Sequence, residues 1–475
     1  MIKKLHLACL TCGILLSTSV QAEVYTLSRA VHRLLDYYPT IQIARLKTDQ
    51  ANWEIRNVKN QLSWKLNGSA GVVHDVSVFG TPYDRFEANA SINRKLDSGH
   101  SLGFSGRYEY NDDSFVLNNS FPNPSQSLDF DINYRVPFGQ GENNTGYEQS
   151  LVVAESQKAI EQANEKAILK SLVANIITFF HEIDNLKQRL VYTDTSIDRS
   201  RRLKQYITRN KKIGIYEEKD VLESEAQLLK VIAERENLYL AISEQKNSLR
   251  RLLGIEPDAL VDIKIERYFV DDNDRNLLEK AEQDDPGLQI KKLLVDIADA
   301  RIKLSLDENT DKKDLVFSLG ARTLYGDSQT DNVSEEDYAA QLKFEYQYDL
   351  GNDAYTSRIE KAKRDKDITL QEMRLNKDEV KYQLTSLQDR IKKQRSLIEK
   401  LKQHNKVSAK KYNEAMARYR QGRIDTTKLI QFENDLHLAN LDLSSAQTEL
   451  SKSETSLALL VGDLLSQLNV YSKDK

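Results

Sequence analysis

The sequence predicts a mixed α and β fold, mainly α and internally duplicated, in which long coiled-coil helices are joined to antiparallel strands. Three observations carry that prediction. Gly214 to Gly254 and Gly422 to Gly462 align without a gap at a constant offset of 208 residues, so that Glu225, Leu228, Ser243, Ser248, Leu249 and Leu252 meet Glu433, Leu436, Ser451, Ser456, Leu457 and Leu460. The hydrophobic pattern alternates along the chain between a helical period and a period of two. Only 7 Pro and 18 Gly interrupt 475 residues, which favours long helices. A repeat of this length decides the architecture, so it is read before any single element.

The N-terminus predicts a secretory leader over 1–22. Lys3 and Lys4 are its positive region, Leu5 to Leu16 its apolar stretch and Val20-Gln21-Ala22 a small-residue cleavage site. The apolar stretch is too short to span a bilayer. Cys9 is a poor lipid-anchor site, because His6 interrupts the short apolar run before it. Both cysteines, Cys9 and Cys12, fall within this leader, so the expected mature chain has no disulfide, thiolate metal site or cysteine nucleophile. No later segment has the roughly 18 consecutive apolar residues of a membrane helix. A membrane-spanning form of this chain would therefore be a closed β-barrel. The net charge of −4 gives no electrostatic reason to expect nucleic acid.

The first repeat is expected over 23–260. Leu27 to about Gln61 reads as helix, with Thr26 as N-cap and a break at Pro39. Strands follow at about 64–137. Trp64, Leu66, Gly68, Ala70 and Val72 alternate with polar residues, as do Phe86, Ala88, Ala90 and Ile92, then Leu102, Phe104, Gly106, Tyr108 and Tyr110. Asp97-Ser98-Gly99 marks the last two of these runs as a hairpin. A fourth run places Leu128, Phe130, Ile132, Tyr134 and Val136 on one face and Asp129, Asp131, Asn133 and Arg135 on the other. From about Thr145 to Lys211 the pattern is helical, and Leu172, Ile176, Phe179, Ile183, Leu186 and Leu190 form a coiled-coil seam. Such a helix is a rod of about 100 Å. Gly214 interrupts it, and a second long helix runs from about Glu217 to Leu253, ended by Gly254 and Pro257.

The second repeat, 261–475, restates this order. A helix is expected from about Arg275 to Leu306, with Pro286, Leu288, Gln289, Ile290, Leu293 and Ala298 matching Pro39, Ile41, Gln42, Ile43, Leu46 and Ala51 at an offset of 247. Strands at about 314–350 follow, one through Leu315, Phe317, Leu319 and Ala321 and one from Tyr338 to Tyr348. A helix from about Thr356 to Tyr419 is interrupted at Gly422. The last helix carries Leu429, Leu436, Leu443, Leu450 and Leu457, one leucine every seven residues. The offset shrinks from 247 to 208, so the first repeat holds about 40 extra residues, which fall at the Phe86–Tyr110 hairpin.

Strands with one apolar and one charged face fit either a soluble core or a barrel that is apolar toward lipid and polar toward a lumen. The Tyr and Phe on the apolar faces, together with the leader, favour the barrel. Six strands from one chain make a poor barrel with a charged interior, whereas several chains sharing one barrel make a wide, water-filled one. The helices carry apolar residues beyond their seams, as helices do when they pack on two sides in a tube. A barrel joined to a helical tube is a conduit.

On these residues the chain resembles the TolC-type outer-membrane efflux and secretion factor family over nearly the whole expected mature length. Ala30 with Tyr38-Pro39 and Ala281 with Asp285-Pro286 match the opening helices of the family's two halves. Pro137-Phe138-Gly139 matches its strand-to-helix turn, although the second copy, Leu350-Gly351, lacks the proline. Leu252-Leu253-Gly254 and Leu460-Val461-Gly462 match its helix-ending motif. The usual proline before the first strand of each half is missing.

The resemblance implies a homotrimer with one shared transmembrane β-barrel in the outer membrane and a periplasmic α-barrel. It implies a periplasmic adaptor (membrane fusion) protein and an inner-membrane transporter as partners, passive conduction in efflux or type I secretion, and no cofactor. The periplasmic tips that meet the adaptor would be Lys212, Ile213, Gly214, Ile215 and Tyr216, and Gln421, Gly422, Arg423, Ile424 and Asp425. The family's acidic entrance positions fall here on Lys428 and Gln431, while the first repeat has Asp220 and Glu223 at the same places; these four are the aperture candidates, although Asp220 and Glu223 also fit a solvated helix face. The extra hairpin either enlarges a barrel or caps it, and the sequence does not choose.

Enzyme chemistry finds little support in the sequence. His181-Glu182 lacks the second histidine of a zinc helix and is expected as a surface pair. Gly139, Gly141 and Gly146 have the wrong spacing for a phosphate loop and fit a strand-to-helix turn. The seven histidines are scattered. The competing reading is structural: an exported coiled-coil stalk with a β-head, such as an adhesin or spacer.

Overall fold

The structure is a computed structural model that describes residues 23–76, 80–113, 122–266, 268, 276–328, 332–348 and 353–468. The expected leader, 1–22, the Leu350-Gly351 turn and the expected helix start at Arg275 lie outside the described residues. The chain is mainly helical with an antiparallel sheet, and no helix among the described residues is long and apolar enough to cross a membrane.

The helix boundaries follow local chemistry. Helix α1 (Leu27–Tyr37) begins where the Thr26 hydroxyl accepts the Arg29 amide at 3.3 Å. Helix α2 (Pro39–Lys59) begins on the proline, whose missing amide is no loss in a first turn, and a single 3-10 turn follows it at Asn60–Leu62. The second repeat solves the same problem with α5 (Leu277–Asp284) and α6 (Pro286–Glu308), where the Asp285 carboxylate accepts the Leu288 amide at 2.8 Å. Pro39 and Pro286 thus each divide what the periodicity reads as one helix into two. Helices α3 (Thr145–Lys211) and α4 (Glu218–Leu253) form the first long pair, α7 (Asp353–Arg420) and α8 (Thr426–Leu460) the second, and α9 (Asp463–Gln467) closes the described chain.

The chain divides into two compact units, and each takes segments from both repeats. Among the described residues, one comprises those within 23–42, 168–281 and 381–468. Its core joins Tyr25, Val31 and Leu34 to Val173, Ile176, Ile177, Phe180 and Ile183 of α3, Leu249 and Leu253 of α4, and Leu464 and Leu465 of α9. Burial of Val173, Ile177 and Phe180 beside the expected seam residues gives α3 a stripe wider than a two-position coiled-coil seam. Two three-residue strands, β1 (Glu23–Tyr25) and β6 (Val261–Ile263), pair in parallel here, too short to show a period in the sequence. His181 corrects the expectation of a surface pair: it is buried, with its Nε2 3.3 Å from the Thr455 hydroxyl, and burial pushes its imidazole pKa down to about 4.

The other unit, 43–167 and 282–380, holds one sheet of six strands. These are β2 (Lys65–Val76), β3 (Pro82–Lys95), β4 (Ser101–Asp113), β5 (Ser125–Pro137), β7 (Lys312–Asp327) and β8 (Asn332–Gln347), all antiparallel and in that order. The β5–β7 pairing joins the strands of the two repeats, with Ile132 opposite Leu319. Register puts Leu66, Ile92, Phe104, Ile132, Leu319 and Ala340 in one row on one face. The opposite face carries cross-strand ion pairs: Arg85 with Glu109 at 2.6 Å, Asp129 with Arg322 at 3.0 Å, and Arg135 with Glu345 at 2.8 Å. Beyond β5 the turn stays on β7, because Phe138 donates to the Lys313 carbonyl at 2.7 Å and Gln140 to the Asp311 carbonyl at 3.0 Å. Gly139 lies so close to the Asp311 carbonyl that a Cβ would collide with it, which explains this glycine as part of a strand-to-helix turn.

Candidate functional site

The two helix-to-helix turns at Gly214 and Gly422 have one backbone. After α3, Gly214 takes φ 79° and donates to the Lys211 carbonyl, while Ile215 donates to the Asn210 carbonyl. After α7, Gly422 takes φ 70° and donates to the Tyr419 carbonyl, while Arg423 donates to the Arg418 carbonyl. This paired pattern satisfies the last helical carbonyls and needs a left-handed residue, for which glycine carries no Cβ penalty. The next helices are also capped at repeat-related positions. Glu217 and Asp220 form a reciprocal capping box on α4, and Asp425 accepts the Lys428 amide at 2.7 Å on α8.

The side chains on that shared backbone differ. At the first turn Lys212, Gly214, Ile213 and Ile215 are exposed, the two isoleucines at 70% and 62%. At the second, Gln421, Gly422, Arg423 and Asp425 are exposed and Ile424 is half-buried. Tyr216 turns inward, stacked on Tyr419 with ring centres 5.4 Å apart and edge-on to Tyr206 at 5.9 Å. Burial raises the pKa of both Tyr216 and Tyr419, so the phenols stay neutral.

A hydroxyl chain runs beside these rings. The Tyr419 hydroxyl lies 2.9 Å from the Thr426 hydroxyl, which in turn donates to the Asp220 carboxylate. Since Thr426 gives its proton to Asp220, Tyr419 is the donor to Thr426. Next to it, Thr427 donates to Glu223 at 2.8 Å. Two of the four aperture candidates, Asp220 and Glu223, therefore hold the start of α8 against the start of α4. The other two, Lys428 and Gln431, bond each other at 2.9 Å, and Lys428 also lies over the Phe432 ring.

Sequence reading missed Tyr206, Tyr419, Thr426 and Thr427. Tyr412 and Tyr419, seven residues apart on α7, were the available signal for an aromatic seam. The repeat hides it, because Lys211 and Glu414 stand at the equivalents of Tyr419 and Tyr206.

Further along the same helices the repeat-related glutamates diverge. Glu433 is buried, accepting from Ser196 at 2.7 Å and Arg199 at 3.1 Å. Glu225 pairs with Lys204 at 2.8 Å while partly exposed.

No protein-family model and no curated protein matches this sequence. Solved structures do match its fold. The outer membrane protein VceC from Vibrio cholerae superposes with a TM-score of 0.66 at 14% identity, covering 92% of this chain and 96% of that one. The Neisseria gonorrhoeae MtrE outer membrane channel, in its open state, gives 0.63 at 13% identity over 92% and 89%. The Campylobacter jejuni CmeC outer membrane channel gives 0.63 at 12% identity over 92% and 86%. The chain shares the fold of these outer-membrane channels.

Proposed function

We propose that this protein is a homotrimeric outer-membrane channel that conducts substrates passively out of the periplasm, in a tripartite efflux or type I secretion assembly. The observation that carries the reading is the two-faced sheet. Its apolar face is open to the surroundings, with Leu66 76% and Tyr338 77% exposed, while its other face is laced with ion pairs. An exposed apolar face of this extent suits lipid and would be an aggregation hazard in water. Polar residues on the opposite face suit a water-filled lumen. The fold shared with known channels supports the same conclusion. In this reading the chain is a duplication over 23–260 and 261–475. The long helices form the periplasmic α-barrel, and the turns at Lys212–Tyr216 and Gln421–Asp425 are the tips that meet a periplasmic adaptor protein, itself coupled to an inner-membrane transporter. No cofactor is needed, since the substrate passes unchanged.

Asp220, Glu223, Lys428 and Gln431 are then the residues that set the aperture. Three copies of Asp220, Glu223 and Lys428 place like charges close to one axis, where they bias ion selectivity. Planar-bilayer recording of the purified protein tests the reading. We expect discrete channels, and Lys428→Gln or Glu223→Gln shifts the cation-to-anion preference in opposite directions. Absence of channels, from a product that stays water-soluble without detergent, favours the stalk-and-head alternative instead.

A further inference from the structure

The first repeat contributes four strands to the sheet and the second only two, and β3–β4 is the hairpin that makes the difference. Three observations place this hairpin within the sheet. Its strands are paired along their whole length with both neighbours: β3 with β2 from Lys65–Asn93 to Val76–Pro82, and β4 with β5 from Ser101–Arg135 to Asn111–Ser125. Its two faces continue those of the sheet. Phe86, Ala88, Ala90 and Ile92 stand in the apolar rows, while Arg85, Glu87, Arg107 and Glu109 pair on the charged side. Its turn is keyed into the strand-to-helix junction. The Asn144 side chain, fully buried, donates to the Leu96 carbonyl at 3.4 Å, and a Cβ on Gly99 would collide with the Gly141 carbonyl and the Asn144 amide.

The sheet edges complete the argument. Strands β2 and β8 each have one hydrogen-bonded neighbour among the described residues. With an even number of antiparallel strands, β2 and β8 run in opposite directions, so β8 of one copy can pair antiparallel with β2 of the next, keeping both the alternation and the two faces. An open edge of this length calls for a partner strand, and a second copy of this chain supplies one that fits.

We propose that the β3–β4 hairpin is a wall element, so that three copies close an eighteen-stranded barrel. This rests on the trimeric channel reading and adds its bore. At about 4.8 Å between strands and about 40° of tilt, eighteen strands give a backbone diameter of about 36 Å, against about 24 Å if the hairpin lies outside and twelve strands close the ring.

Spin labels on single cysteines test this, in the whole protein reconstituted into phosphatidylcholine vesicles. Residues 23–475 contain no cysteine to interfere. Labels at Ala88→Cys and Ala90→Cys are expected to relax faster with oxygen, which concentrates in lipid, and labels at Asn89→Cys and Ser91→Cys with a water-soluble nickel chelate. Labels at Ala70→Cys and Ala340→Cys, outside the hairpin, serve as references. If these two report lipid while all four hairpin labels report water, the hairpin proposal is overturned and the channel reading stands. If the references also report water, the membrane reading falls and the hairpin proposal with it. Dipolar distances between copies labelled at Asn133→Cys give an independent measure. About 31 Å is expected for eighteen strands on a threefold ring, and about 21 Å, the twelve-strand value, overturns the proposal.

Discussion

Glu225 and Glu433 occupy one position of the repeat, and each meets a basic residue of α3, yet the two pairs sit in different media. The Glu433 side chain is 4% exposed, with Arg199 and Ser196 on one oxygen; the Glu225 side chain is 43% exposed beside Lys204. The turns show the same contrast. Gly214 and Gly422 share φ, hydrogen bonds and capping position, but Asp220 reaches Thr426 whereas its counterpart Lys428 reaches Gln431. The two turns share one backbone grammar, which depends on a few local residues. The energy carried by each copy depends on what the tertiary fold packs around it.

Three pairs of substitutions can break or sharpen that contrast, read as local opening free energies by hydrogen exchange of the amides in 190–228 and 415–440. The largest effect is expected from Glu433→Ala, which leaves the largely desolvated Arg199 without its carboxylate and loosens both segments by about 3–5 kcal/mol. Glu225→Ala is expected to change them by less than about 1 kcal/mol; equal effects would mean that burial does not distinguish the copies. Next comes Asp220→Ala, which removes a helix cap and the acceptor of the Thr426 hydroxyl together. A loss of about 2 kcal/mol is expected at the start of α4 and α8, against about 0.5 kcal/mol or less for Lys428→Ala. The smallest effect, and the one expected to be equal in the two copies, is Gly214→Ala against Gly422→Ala. Each forces an alanine to positive φ for about 1 kcal/mol, and unequal losses would show that the turns differ in backbone as well as in side chains.

Much of the fold was legible because its determinants are local. Six strands and two pairs of long helices follow from period, Gly and Pro, and the observed α3 has the bounds the periodicity predicts. The breaks at Pro39 and Pro286 were marked by residues that both start and stop helices, and a continuous apolar period across Pro286 concealed the second. The parallel pair β1–β6 joins segments more than two hundred residues apart, and no periodic signal exists for three residues. His181 read as a surface residue once the missing second histidine removed a zinc helix, although Phe179, Phe180 and Ile183 around it are apolar; in the fold it is buried, with Thr455 of a distant helix beside its ring.

At the candidate site the sequence located both turns through Gly214 and Gly422, since a positive φ after a long helix demands glycine. It could not locate the Tyr206–Tyr216–Tyr419 stack or the Tyr419–Thr426–Asp220 hydroxyl chain, because the Tyr216–Tyr419 and Thr426–Asp220 contacts join one hairpin to the other and their residues do not repeat. By itself, then, the sequence determined the duplicated order of elements, the two-faced strands and the places where the chain reverses, all set by backbone sterics and hydrophobic period within a few residues. Only the tertiary structure decided which repeat-related glutamate is buried, which aperture candidates hold the two hairpins together, and that the additional hairpin lies within the sheet. Those outcomes depend on the packing and pairing of segments far apart in the chain, which no local pattern encodes.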